Sequence, residues 1–166
     1  MSITAVGLTD ALCQILRLNS TIATAFGDTW NPTAQTGIVK FFADWADQNN
    51  DSYLVFDEVS ESYDFDTRSG ALAGTSSFRA EGSLLCWIFQ SGREQARALA
   101  TLICNQLDNC DQKNTPVQWP QFNGTCTLLD FRMLKAQFAP NPNIGPGVPS
   151  TFVRVVTFNY TYQGYI

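Results

Sequence analysis

Apolar residues recur along the chain with two different periods, and the changes of period outline the elements. Between residues 91 and 110, Ala96, Leu99, Ala100, Ile103, Cys104 and Leu107 return every three or four positions, the spacing that gathers them on one face of a helix. Ser91-Gly92-Arg93-Glu94 ahead of them reads as a capping box, which predicts a helix start near Gly92. Gln95, Arg97, Gln106 and Asp108 fall off the stripe, leaving one apolar side to pack on a sheet. Near the start of the chain, Thr9 or Asp10 can cap a helix whose core residues are Leu12, Ile15 and Leu16. Asn19-Ser20-Thr21 interrupts that helix after Leu18, and Ile22 and Phe26 predict a second short turn ending at Gly27. Trp30-Asn31-Pro32 reads as loop, and Ile38, Phe41, Phe42 and Trp45 predict a further helical turn or two before Asp47.

Elsewhere the period is two. Residues 53–63 and 78–89 are rich in β-branched and aromatic residues, with Ala80, Gly82, Leu84, Cys86 and Ile88 alternating in the second stretch. They predict a long hairpin whose tip, the projecting loop 66–77, is built of small residues. The β pattern resumes over 128–138 and again over 152–162, where Phe152, Val156, Phe158, Tyr160 and Tyr162 share a face expected to pack on the central helix. Joining these two strands, the projecting segment 139–151 is rich in proline, which removes donors and stiffens the backbone toward polyproline II. The predicted order is therefore α-β-β-α-β-β: a single α+β domain over residues 1–166, with a mostly antiparallel four-stranded sheet and helices packed on one face.

Composition narrows the function classes. At 166 residues and 45% hydrophobic, the chain can bury one sizeable core without disulfide staples. Ten basic residues against fifteen acidic ones give a net charge of -5 with no basic run, which argues against sequence-specific nucleic-acid binding. Met1 is not followed by the basic and apolar regions of a signal peptide, and no apolar run approaches membrane-spanning length, so a chain made in and retained by a cytosol is expected, with no membrane partner. Cys13, Cys86, Cys104, Cys110 and Cys126 include no Cys-x-x-Cys and there is no histidine, so the thiols read as small core residues and neither a zinc site nor a cofactor is expected.

The leucine-rich first helix broken near Asn19, the strand Tyr53-Leu54-Val55-Phe56 and the helix opening Gly92-Arg93-Glu94-Gln95-Ala96 occur in an order that resembles the tail terminator and tail-to-head joining family of tailed bacteriophages. The likeness covers nearly the whole chain and is one of pattern and topology. Residues 111–125 and the proline-rich arm depart from it. The resemblance implies a non-catalytic virion protein of the tail or neck, made in the host bacterial cytoplasm. It implies a homo-oligomeric, commonly hexameric ring that caps the tail tube protein and meets a neck or head-completion protein, with DNA passing through the channel. A head-completion or stopper protein one ring higher is the alternative within the same biology. Interface candidates are Gly70, Leu72 and Gly74 in the first loop, Trp87 on the second strand, and Pro140, Pro142, Ile144, Pro146 and Val148 in the arm.

Two chemical readings compete with a purely structural role. Asp47, Asn49, Asp51 and Glu58 occupy positions 1, 3, 5 and 12 of an EF-hand calcium loop. Ser52 stands where the sharp turn needs glycine, and the exit reads as strand rather than helix. Asp57, Glu58, Glu61, Asp64 and Asp66 can pair carboxylates for acid–base chemistry, but carboxylates along a strand more commonly form a solvated face that discourages edge-to-edge aggregation. Without histidine there is no His-based triad, and the loop from Gly70 to Gly74 lacks the lysine of a phosphate cradle.

Overall fold

The computed structural model describes residues 5–43, 52–66, 77–108, 110, 127–141 and 151–165. In chain order the elements are α1 (Ala5–Arg17), α2 (Ser20–Phe26), β1 (Phe41–Phe42), β2 (Tyr53–Asp66), β3 (Ser77–Gln90), α3 (Arg93–Leu107), β4 (Thr127–Ala139) and β5 (Phe152–Tyr165). The fold is α+β, with helices packed against a mixed, mostly antiparallel sheet of order β1-β2-β3-β5-β4. Among the described residues the sheet has five strands rather than the expected four. The extra strand is β1, where a helical turn was expected; it pairs parallel to β2 through Phe41 opposite Leu54 and Phe42 opposite Val55. A side chain from outside the segment makes it extended: Asp28 accepts from the backbone N–H groups of Lys40 (2.8 Å) and Phe41 (3.2 Å). Those donors are thereby taken from any local helix.

The break after α1 follows the predicted chemistry. Asn19 accepts from the N–H groups of Thr21 and Ile22 and so caps α2, and Gly27 closes it in the left-handed region at φ 73°. At α3 the predicted capping box does not form. Gly92 is the N-cap, without a side-chain hydrogen bond, although the helix starts where expected. The predicted stripe from Ala96 to Leu107 is buried in full.

The main core lies between the helices and one face of the sheet. There Leu12, Ile15, Leu16, Ile22 and Phe26 meet Leu54, Phe56, Leu84, Cys86, Ile88, Val156 and Phe158, with Ile103 and Leu107 between them. Phe152, expected on this face, is instead exposed. A second apolar cluster forms on the opposite face, toward one end of the strands. Tyr53 stacks on Phe89 (4.3 Å, 5°) beside Val55, Val153 and Val155, with Trp87 and Phe42 packed around them. Cys13, Cys86, Cys104 and Cys110 are buried in the main core, and burial pushes the Cys13 thiol up to about 12. Such thiols stay protonated and act as packing residues. No helix among the described residues is long and apolar enough to cross a membrane.

Candidate functional site

Two sheet neighbours of β3 are tied together across it. A bulge between Glu58 and Ser60 shifts the alternation of β2, so Glu58 and Glu61, three residues apart, both face the helices. Glu61 lies opposite Gly82, and Gly82 lies opposite Tyr160 of β5. In the adjacent row Tyr63, Ala80 and Tyr162 line up in the same way. Small residues on β3 therefore let rings from β5 reach over to β2. Tyr160 donates its hydroxyl to one Glu61 oxygen and Tyr162 donates to the other, each at 2.5 Å. The two rings stack nearly parallel, 6.1 Å apart. A Cβ on Gly82 would meet Tyr160 Cζ at 2.5 Å and the Ser60 carbonyl oxygen at 2.6 Å, so this crossing requires glycine.

The electrostatics follow from these contacts. Burial acts to raise the Glu61 pKa, but the hydroxyls of Tyr160, Tyr162 and Tyr63, together with Glu58, hold it below the ordinary 4.5. Glu58 is pushed up to about 7, first by burial and then by its hydrogen bond to Glu61 and the charge there. Burial, followed by the Glu61 carboxylate, drives the Tyr160 phenol well above its usual range. Below neutral pH, Glu58 is thus the proton donor and Glu61 the acceptor. With a tyrosine on each oxygen, Glu61 serves as an anchor between strands rather than as a base facing a substrate.

The expectation that the five β2 carboxylates share one face is corrected, although Glu58 and Asp64 are solvent-exposed as expected. The bulge divides them: Glu58 and Glu61 turn to the helices, while Asp57 and Asp64 turn to the other face. Tyr160 and Tyr162, expected only to pack on the central helix, are the missed partners. The sequence does carry a trace of the bulge, because the apolar positions of β2 change parity between Phe56 and Tyr63.

Two measurable consequences arise here. Tyr160→Phe removes a buried hydroxyl bonded to a carboxylate and should cost about 1.5–3 kcal/mol in urea denaturation at neutral pH. The pH dependence has two limbs. Glu58, raised in the folded state, contributes stability that is complete below its unfolded value of 4.5 and is lost as pH rises through about 7. Glu61, lowered in the folded state, contributes stability present above 4.5 and lost as pH falls through its folded value. Glu58→Gln should therefore flatten the decline between about pH 4.5 and 7 in a series of thermal midpoints, leaving the acid limb in place.

Of the proposed calcium ligands, Glu58 lies within β2 and is bonded to Glu61, whereas Asp47, Asn49 and Asp51 lie outside the described residues. Among the described residues no three His, Cys, Asp or Glu side chains gather to hold a metal ion. Gly70, Leu72, Gly74, Pro142, Ile144, Pro146 and Val148 also lie outside the described residues. Pro140 is exposed at the end of β4, next to Asn141, which donates to Thr151 Oγ1 (2.8 Å) at the base of the arm. Trp87 is half-buried against the second cluster.

Charge is distributed unevenly across the sheet. β2 carries five carboxylates and no cation. On the β4 side, the guanidinium groups of Arg93 (4.3 Å), Arg154 (4.7 Å) and Arg97 (5.6 Å) converge on the ring of Phe138. Between these extremes, the face away from the helices is polar over half its length, where Ser60, Glu81, Ser83, Asp130, Asn159 and Thr161 line a shallow open concavity.

No protein family and no curated protein matches this chain. Among solved structures it shares its fold with a chain from the virion of a native gene transfer agent particle. That match has a TM-score of 0.52 at 14% identity and covers 95% of each chain.

Proposed function

We propose that this chain is a structural virion protein of a tailed particle, forming a homo-oligomeric ring that caps the tail tube and joins it to the neck. The observation that carries this reading is the end-to-end fold likeness to a virion chain. The order of elements, with its resemblance to tail terminators, supports the more specific role. The surface chemistry is compatible with a channel for DNA. The polar half of the open face presents hydroxyls, an amide and the carboxylates of Glu81 and Asp130. Its cations are already engaged, Arg79 with Glu81 (3.3 Å) and Arg132 with Asp130 (3.1 Å). Turned toward a lumen, such a wall repels phosphates weakly and offers few cationic traps. The Glu61 anchor holds the long strands of that wall in register. In this role the protein works by shape and contact, without a catalytic step.

Purified protein mixed with assembled tail tubes should appear by electron microscopy as a ring at one tube end only, with tube growth stopped there. Tubes that remain bare at both ends over a range of protein concentrations would contradict the tail-capping role.

A further inference from the structure

β4 is an outer strand and, among the described residues, β2 is an edge beyond the two residues that β1 covers; both break their ladders at bulges, and at both an apolar side chain is left in solvent. On β2 it is Val59, 58% exposed. On β4 the second bulge exposes Leu134 (57%) beside Met133 (38%), and the first exposes Leu129 (42%). Bulges and Lys135 already blunt these edges against strand addition, so apolar side chains left exposed at the bulges of both edges mark them as surfaces for side-chain contact. The charges surrounding them are opposite. Val59 sits in the carboxylate-rich strand, whereas Leu134 adjoins Lys135, past the Asp130–Arg132 ion pair, on the edge that ends at the arginine cluster on Phe138.

The pairing registers also set these features at one height. Lys135 lies opposite Thr157, Thr157 opposite Leu85, and Leu85 opposite Asp57. The next row runs Met133, Phe158, Leu84, Glu58. Leu134 lies between these two rows, and Val59 lies just past the second. A line drawn across the sheet therefore meets one bulge as it enters and the other as it leaves, within about one residue step.

We infer that the β4 edge of one copy docks beside the β2 edge of the next, with Leu134 and Met133 against Val59 and Lys135 facing Asp57. This rests on the ring reading above and names the surface that builds the ring. The occupant is a second copy because this chain carries both halves, matched in height and opposite in charge. Two different patches meet, so the contact is heterologous and closes into a ring when the rotation per copy divides a full turn. Bulges on both edges interrupt a continuous ladder, so side chains, rather than strand addition, make the contact.

Val59→Arg and Leu134→Glu test this directly, each placing on one edge the charge its partner edge already carries. Sedimentation velocity, with tail tube added if the wild type needs it to assemble, should show each variant self-associating at least about tenfold more weakly. Their thermal midpoints should match the wild type, since both positions are exposed. An equimolar mixture should recover complexes holding both variants in equal numbers, because their intact edges fit each other at one contact and the introduced arginine faces the introduced glutamate at the next. If either variant folds poorly, the pair Asp57→Lys and Lys135→Asp serves instead: each alone weakens assembly and the double variant restores it. Wild-type rings that persist unchanged in both single variants would overturn this contact and leave the ring reading standing. A wild type that never assembles, with or without tube, would overturn both.

Discussion

Replacing Asp28 by alanine is expected to lower stability by about 3–5 kcal/mol, the range found when one partner of a buried ion pair is removed. For a domain of this size that corresponds to a thermal midpoint about 10 °C lower or more. The Asp28 side chain is 1% exposed and carries five hydrogen bonds. Arg17 donates from Nε (2.8 Å) and Nη2 (3.2 Å), and the backbone N–H groups of Trp30, Lys40 and Phe41 supply the rest. One carboxylate thus joins the end of α1, the loop after α2 and the start of β1. Alanine would leave the Arg17 charge, half-wrapped over Phe41, without its counter-ion, and three backbone donors without an acceptor. Arg17→Ala should cost less, because the backbone donors remain for the carboxylate. Chemical denaturation of both single variants and the double variant measures the coupling; an Asp28→Ala change within experimental error of wild type would refute the hub.

Gly82→Val should destabilise by about 3 kcal/mol, at the upper end of the range for overpacking. The sign is the informative part. Valine is usually favoured over glycine within a strand by up to about 1 kcal/mol, so an ordinary mid-strand glycine would give a more stable variant. Here the added carbons meet the Ser60 carbonyl, which is backbone and cannot turn aside, as well as the Tyr160 ring. Displacing that ring also breaks the hydroxyl bond to Glu61, so the loss should be partly non-additive with Tyr160→Phe. Thermal denaturation of the two singles and the double shows whether the three strands act as one unit here. A stabilised Gly82→Val would mean that Tyr160 does not cross β3.

What could be read from the sequence was local. The stripe on α3 follows from spacing alone, and all six of its residues are buried as the period requires. The Asn19 break and the Gly27 stop are likewise matters of residues bonding their near neighbours. Most errors occur where a distant group decides; the local exceptions are the helix starts, where Thr9 and Asp10 lie inside α1 rather than capping it and the Ser91 box does not form. Phe41 and Phe42 have helical spacing with Ile38 and Trp45, yet Asp28, more than ten residues upstream, holds their backbone extended. Ser91 and Glu94 satisfy the capping-box formula, but Gly92 becomes the cap. Glu61 looked like one of several surface acids because its partners lie about a hundred residues later, on a strand two places away in the sheet. The parity change between Phe56 and Tyr63, and those between Leu128, Phe131 and Ala136, mark the bulges in advance. Those shifts, rather than any motif, were the available sign of both the anchored carboxylate and the two exposed edge residues.

The central claim, that this chain is a ring-forming structural subunit, is tested most directly by its native mass across a concentration series, with and without tail tube and calcium. The account predicts a discrete closed species at a fixed multiple of 18.4 kDa, indifferent to calcium and present either in the pure protein or once tube is added. A strict monomer under every condition, gaining the mass of one calcium ion when that ion is supplied, would contradict it and turn attention to residues 47–58.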